Sequence, residues 1–222
     1  MSPLIVRHLG RWPYRDTYQA MQQFTAERTA TTSDEIWLLE HDPVFTQGRA
    51  GSPEYLLAAG DIPVEPSDRG GQITHHGPGQ ITGYLLFDLK RSKIAVKHFV
   101  AAQEQAMVAT LADYGVAASA RADAPGVYVA SGAKIGSIGL RIRHGRSYHG
   151  LNFNVDMDMS AWLRINPCGL GVAMTQLYSE TPQRPTLREV SDRLARHLCE
   201  QLNRDADVIT ERLPTLLSNS AA

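Results

Sequence analysis

Twelve residues constrain this chain more than any others. From position 69 to 80 it reads Arg-Gly-Gly-Gln-Ile-Thr-His-His-Gly-Pro-Gly-Gln, with four glycines, two histidines and an arginine between strand-like flanks. Residues 73–75 and 80–86 carry β-branched and aromatic side chains on either side of Gly77-Pro78-Gly79, which predicts strand, turn and strand. Glycine lets backbone amides approach a ligand where a β-carbon would collide, while Arg69, Gln72, Thr74 and the histidines supply directed polar groups. A glycine-rich hairpin with incidental histidines is the competing reading.

Periodicity elsewhere predicts an α/β chain. Tyr14, Tyr18, Met21 and Phe24 recur at helical spacing, and residues 35–39 read as a short buried strand. Residues 41–49 then lead into a loop broken by Gly51, Pro53, Gly60, Pro63 and Pro66. Phe99, Ala102, Ala106, Met107, Leu111 and Tyr114 mark a second helix over residues 95–114, stopped by Gly115. Residues 127–129, 134–143 and 147–155 read as successive strands with connections short enough for antiparallel neighbours. Thr186 with Glu189 forms a capping-box signature ahead of the stripe Leu187, Val190, Leu194, Leu198 and Leu202. The expectation is one α/β (α+β) domain on a mixed sheet over residues 1–217, with a loose tail at 218–222.

Charge and composition exclude several functions. Lys plus Arg number 22 against 23 for Asp plus Glu, so the net charge of -1 offers no broad field for nucleic acid or an anionic membrane. The start carries no charged leader with an apolar core, and no apolar run approaches the roughly 20 residues that span a bilayer. A soluble, cytoplasmic protein is expected. The glycines match neither a phosphate loop nor a dinucleotide loop, and no Gly-x-Ser-x-Gly elbow occurs. The two cysteines, Cys168 and Cys199, form no Cys-x-x-Cys pair, which speaks against a disulfide framework or a cysteine-rich zinc site. Adjacent His75 and His76 face opposite sides of a strand and cannot easily share one metal, so no metal site is expected.

A cysteine route is the chemistry that remains. Cys168 lies in the loop-like Asn166-Pro167-Cys168-Gly169-Leu170-Gly171, where an accessible thiol can act as a nucleophile if a neighbouring cation or hydrogen-bond donor raises its thiolate fraction. The alternative is a small buried hydrophobe, the reading assigned to Cys199 inside its leucine-striped helix. Lys134 opens the strand Lys-Ile-Gly-Ser-Ile-Gly-Leu and either points to solvent or projects into a cleft. His76 and His149, each followed by glycine, line a common pocket or serve as packed structural histidines.

Taken together, the 69–80 motif, Lys134-Ile-Gly-Ser-Ile-Gly139, Ser147-Tyr-His-Gly150 with Asn154-Val155, and Pro167-Cys-Gly169 resemble the octanoyltransferases of protein lipoylation, the lipoyl(octanoyl) transferases, over residues 41–178. The resemblance implies transfer of an octanoyl or lipoyl group from acyl carrier protein to a lysine of a lipoyl domain. The acceptors it implies are the lipoyl domains of 2-oxoacid dehydrogenase complexes and the glycine cleavage H protein. It makes Cys168 the nucleophile that carries the acyl thioester and Lys134 the group that favours its thiolate and later takes a proton. It maps the acyl pocket onto Arg69, Gly70, Gly71, Gln72, Ile73, Thr74, His75 and His76, with Ser137, Ile138 and Gly139, and Gly150, Leu151 and Asn152. It implies no cofactor and no metal, and a fold similar to the catalytic domain of biotin and lipoate ligases. Asn152 and His75 depart from the family's more familiar small alanine and aromatic residue. The rivals are an ATP-dependent lipoate or biotin ligase and a noncatalytic protein that binds acyl groups or lipoyl domains.

Overall fold

The computed structural model describes residues 4–167, 171–206, 208–211 and 214. Cys168 and the expected tail at 218–222 lie outside the described residues. In chain order the first half holds strand β1 (Leu4–Trp12), helix α1 (Tyr14–Glu27), and strands β2 (Asp34–His41), β3 (Val44–Gln47), β4 (Val64–Pro66), β5 (Ile73–His76) and β6 (Gln80–Leu86). The second half holds helices α2 (Leu89–Ser92) and α3 (Val96–Ala112), then strands β7 (Ala118–Ala120), β8 (Val127–Val129), β9 (Lys134–Arg143) and β10 (Arg146–Asn154). Helices α4 (Leu177–Glu180) and α5 (Leu187–Gln201) and strand β11 (Val208–Thr210) close it.

One eight-stranded mixed sheet runs β11-β1-β2-β6-β10-β9-β8-β7, and a three-stranded sheet runs β4-β3-β5. The β1 strand pairs in parallel with β2 and β11, while β2, β6, β10, β9, β8 and β7 are antiparallel neighbours. Central β2 is buried almost throughout, as its continuous apolar run requires. The large core fills one face of the sheet, where Phe99, Met107 and Leu111 of α3 and Leu194 and Leu198 of α5 meet Leu85, Phe153 and Ile135. A smaller cluster of Trp37, Tyr84 and Tyr148 lies beneath α1 on the other face. Thr186 and Glu189 cap α5 reciprocally, as their spacing predicts.

Strand β3 lies in the 41–49 stretch and β4 in the expected loop beyond it, and no sequence pattern announces β1, β7 or β11. The glycine motif also differs from a simple hairpin. Its two strands flank a turn as expected, but β5 pairs with β3 in the small sheet, whereas β6 enters the large sheet between β2 and β10. Gly79 explains the divergence. Its φ is +82°, its carbonyl takes the N–H groups of Val155 and Asp156, and a β-carbon there would stand 1.8 Å from the Asp156 carbonyl oxygen. The turn is thus stapled beneath the end of β10 and sends β5 off to form the second sheet.

Candidate active site

A cavity of about 400 Å³ opens between the two sheets. Arg69, Gly70, Gly71, Gln72, Ile73, Thr74 and His76 line it from the motif, Ser137, Ile138 and Gly139 from β9, and Gly150, Leu151 and Asn152 from β10. Lys134 lines it as well. Thirteen of the fourteen residues expected in the acyl pocket therefore converge, together with the expected catalytic lysine. His75 is the one that does not. Its ring packs against Phe45 and Trp162 in the cluster behind the small sheet, because consecutive strand residues face opposite sides.

Cross-strand register assembles the floor. Asn152 sits between Thr82 of β6 and Ser137 of β9, and Gly150 between Tyr84 and Gly139. The Asn152 carboxamide accepts from the Ser137 N–H at 3.0 Å and reaches Thr74 Oγ1 at 3.4 Å, so this residue ties the two sheets together. Gly139 brings the sheet floor close to the motif backbone: a β-carbon there would lie 3.0 Å from the Gly70 carbonyl oxygen. Arg69 is buried, with Nε donating to Thr46 Oγ1 at 3.2 Å, Nη2 to the Thr46 carbonyl at 2.5 Å and Nη1 to the Gly70 carbonyl at 3.0 Å. It braces the cavity wall against β3.

At one end Lys134 is buried, and its Nζ donates to the Pro125 carbonyl at 2.8 Å above the Tyr128 ring. Gly126, at φ +132°, makes this possible, since a β-carbon there would lie 2.5 Å from Lys134 Cε. Pro167, which directly precedes Cys168 in the chain, also lines the cavity.

The other end is aromatic and hydrogen-bonded. His76 stacks on Tyr14, and Tyr84 hydrogen-bonds His41 Nε2 at 2.6 Å, whose Nδ1 meets the Trp12 carbonyl at 2.7 Å. Burial pushes His41 down to about 4 and His76 well below the usual histidine range, so both rings are neutral at pH 7. His149 lines the cavity with His76, as one of its two readings holds, while its Nε2 binds Asp68 Oδ1 at 2.9 Å. Burial would raise Asp68, but hydrogen bonds from His149 and Tyr148 hold its carboxyl below the usual range. Tyr14, Thr82, Tyr84, Val100, Asp123, Ala124, Pro125 and Leu140 also line it, and none of them was expected at the site from the sequence. Only Thr82 and Tyr84 carried a signal, being two and four residues beyond Gln80 on a strand.

Cys199 is buried in α5, and desolvation pushes its thiol up to about 11. At neutral pH it stays protonated and inert. Among the described residues no group of three His, Cys, Asp or Glu side chains can hold a metal ion, and no helix is long and apolar enough to cross a membrane.

This sheet pair and cavity define a class, the lipoyl protein ligase A/B catalytic domain, whose family model matches residues 13–199. A solved bi-partite lipoate protein ligase from Thermoplasma acidophilum superposes with a TM-score of 0.77 at 15% identity, covering 100% of this chain and 91% of that one. Biotin protein ligase from Aquifex aeolicus, solved with biotin and ATP, gives 0.53 at 13% identity, covering 91% and 71%. At the level of sequence, the octanoyltransferase of Ectopseudomonas mendocina is 54% identical over 203 residues, 91% of this chain and 98% of that protein. The chain belongs to the octanoyltransferase family and is an acyltransferase.

Proposed function

We propose that this enzyme moves an octanoyl group from acyl carrier protein to a lysine amine of a lipoyl domain through a thioester on Cys168. The observation that carries the reading is the position of Lys134. A buried amine stands at one end of a cavity sized for a medium acyl chain, and the wall beside it includes the residue that leads into Cys168. In the first half-reaction the Cys168 thiolate attacks the donor thioester carbonyl. The carrier thiolate leaves and takes a proton from Lys134. In the second, the acceptor amine attacks the Cys168 thioester and gives its proton to Lys134. The Cys168 thiolate then leaves and an amide remains. One thioester is exchanged for another before the downhill amide step, so the chemistry needs neither nucleotide nor metal. The acceptors are lipoyl domains of 2-oxoacid dehydrogenase complexes and the glycine cleavage H protein. The site residues are those of the cavity, with His75 in a supporting place behind it.

The rival on the same fold activates a free acid with ATP. Incubating the enzyme and a lipoyl domain with octanoyl carrier protein, and separately with octanoate plus ATP, distinguishes the two. Octanoylated domain is expected only from the carrier protein. Product from octanoate and ATP alone would overturn the proposal.

A further inference from the structure

Gln80 ends the glycine motif and Asn154 ends β10, and both side chains are fully buried. Gln80 Nε2 donates to the His75 carbonyl at 3.0 Å and to Asn154 Oδ1 at 2.9 Å, while Gln80 Oε1 lies 2.8 Å from His76 Nδ1. Asn154 Nδ2 donates to the Thr175 carbonyl at 2.9 Å. The Thr175 N–H donates to the Lys134 carbonyl at 2.9 Å, and the Lys134 N–H to the Ala173 carbonyl at 2.8 Å. The chain of bonds therefore runs from a cavity histidine to the backbone of the catalytic lysine.

Its direction is fixed. A backbone carbonyl only accepts, so the carbonyls of His75 and Thr175 determine which atom of each carboxamide is the nitrogen. Gln80 Oε1 must then accept, and His76 carries its proton on Nδ1. The Nε2 atom of the neutral ring is left as an acceptor. It has no hydrogen bond among the described residues, yet it is not a buried orphan as His75 Nδ1 is, and it opens on the cavity that His76 lines.

We infer that Gln80 and Asn154 are positioning residues, which through one buried chain of hydrogen bonds hold His76 as an acceptor toward the acyl cavity and clamp residues 173–175 against Lys134. A carboxamide suits both places because each must donate and accept at once. A carboxylate or an alkyl group of the same shape breaks the chain at a known link. The consequence for turnover rests on the reaction proposed above, but the direction of the hydrogen bonds does not.

Nitrogen and carbon NMR of the imidazoles in the wild-type enzyme tests that direction with no substitution. His76 is expected as the neutral Nδ1–H tautomer at pH 7, and the Nε2–H tautomer would overturn the inference. Asn154→Asp keeps an acceptor for Gln80 and loses the donor to Thr175. Its kcat is expected to fall roughly 10- to 100-fold, the scale of an ångström's misplacement, with KM for octanoyl carrier protein nearly unchanged. Asn154→Ser, too short to span the gap, serves if the aspartate variant does not fold. Folded Asn154 variants that turn over like the wild type, beside a slow Lys134→Ala, would overturn the inference. A Lys134→Ala enzyme as fast as wild type would instead remove the proposed role of Lys134 and leave the tautomer measurement to decide on its own.

Discussion

A lysine at the first position of a strand usually reaches solvent, and Lys134 does not, because Gly126 clears space for its stem and the Pro125 carbonyl takes its Nζ. Lys134→Ala is therefore expected to slow both half-reactions with the fold intact, and unchanged single-turnover rates would contradict its role. Burial likewise decides the case of Cys199. Cys199 is packed among leucines with its thiol raised to about 11 by burial, so Cys199→Ala should retain near-wild-type octanoyl transfer, and severe loss would mean the wrong thiol was chosen. His75 makes a third case. Its ring faces Phe45 and Trp162 and leaves a buried Nδ1 without a partner among the described residues, so His75→Phe removes a polar atom unsatisfied there and should leave KM for the acyl donor unchanged. A large rise in KM would place the ring in the acyl pocket after all.

The elements differ in how openly the sequence announces them. Helices α1, α3 and α5 and strands β9 and β10 stand out because each carries an extended pattern bounded by a cap or turn signal, and the short β8 by its Val-Tyr-Val run before Ser131-Gly132. Strand β3 is hidden between Pro43 and Gly48, and β4 among Gly60, Pro63 and Pro66, where breakers outweigh the short apolar stretches, and both exist because the second sheet gives them partners. The site follows the same division. Its linear motifs on β5, β9 and β10 were legible, but Tyr14, Val100 and Pro125 reach the cavity only through packing of distant segments. Gly79 is the position where element placement is most exposed to test. With positive φ and no room for a β-carbon, Gly79→Ala should cost about 2–4 kcal/mol in urea unfolding and lose activity in proportion. A neutral substitution would show that the staple under Asp156 does not direct β5 and β6 into different sheets.

Across the whole molecule, the large sheet divides an apolar core beneath α3 and α5 from a face rich in buried histidines beneath α1 and the small sheet. Burial lowers His41 and His75 to about 4 and also lowers His76 and His149. The native chain therefore refuses protons that the unfolded chain, with histidines near 6.5, accepts. This contribution to stability is complete above pH 6.5 and is lost as the pH falls through the folded values. Each buried histidine adds up to about 1.4 kcal/mol per pH unit in that window. Urea midpoints should decline between pH 6.5 and 4, and a flat profile would show that these rings are charged or exposed in the native state. The proposed reaction turns on Cys168, which in that scheme carries the acyl group between donor and acceptor. Intact-mass analysis of the enzyme mixed with octanoyl carrier protein, in the absence of a lipoyl domain, asks this directly. The wild type should gain the mass of one octanoyl group and Cys168→Ser should gain none; a wild-type enzyme that transfers octanoate yet never shows the adduct would contradict the account.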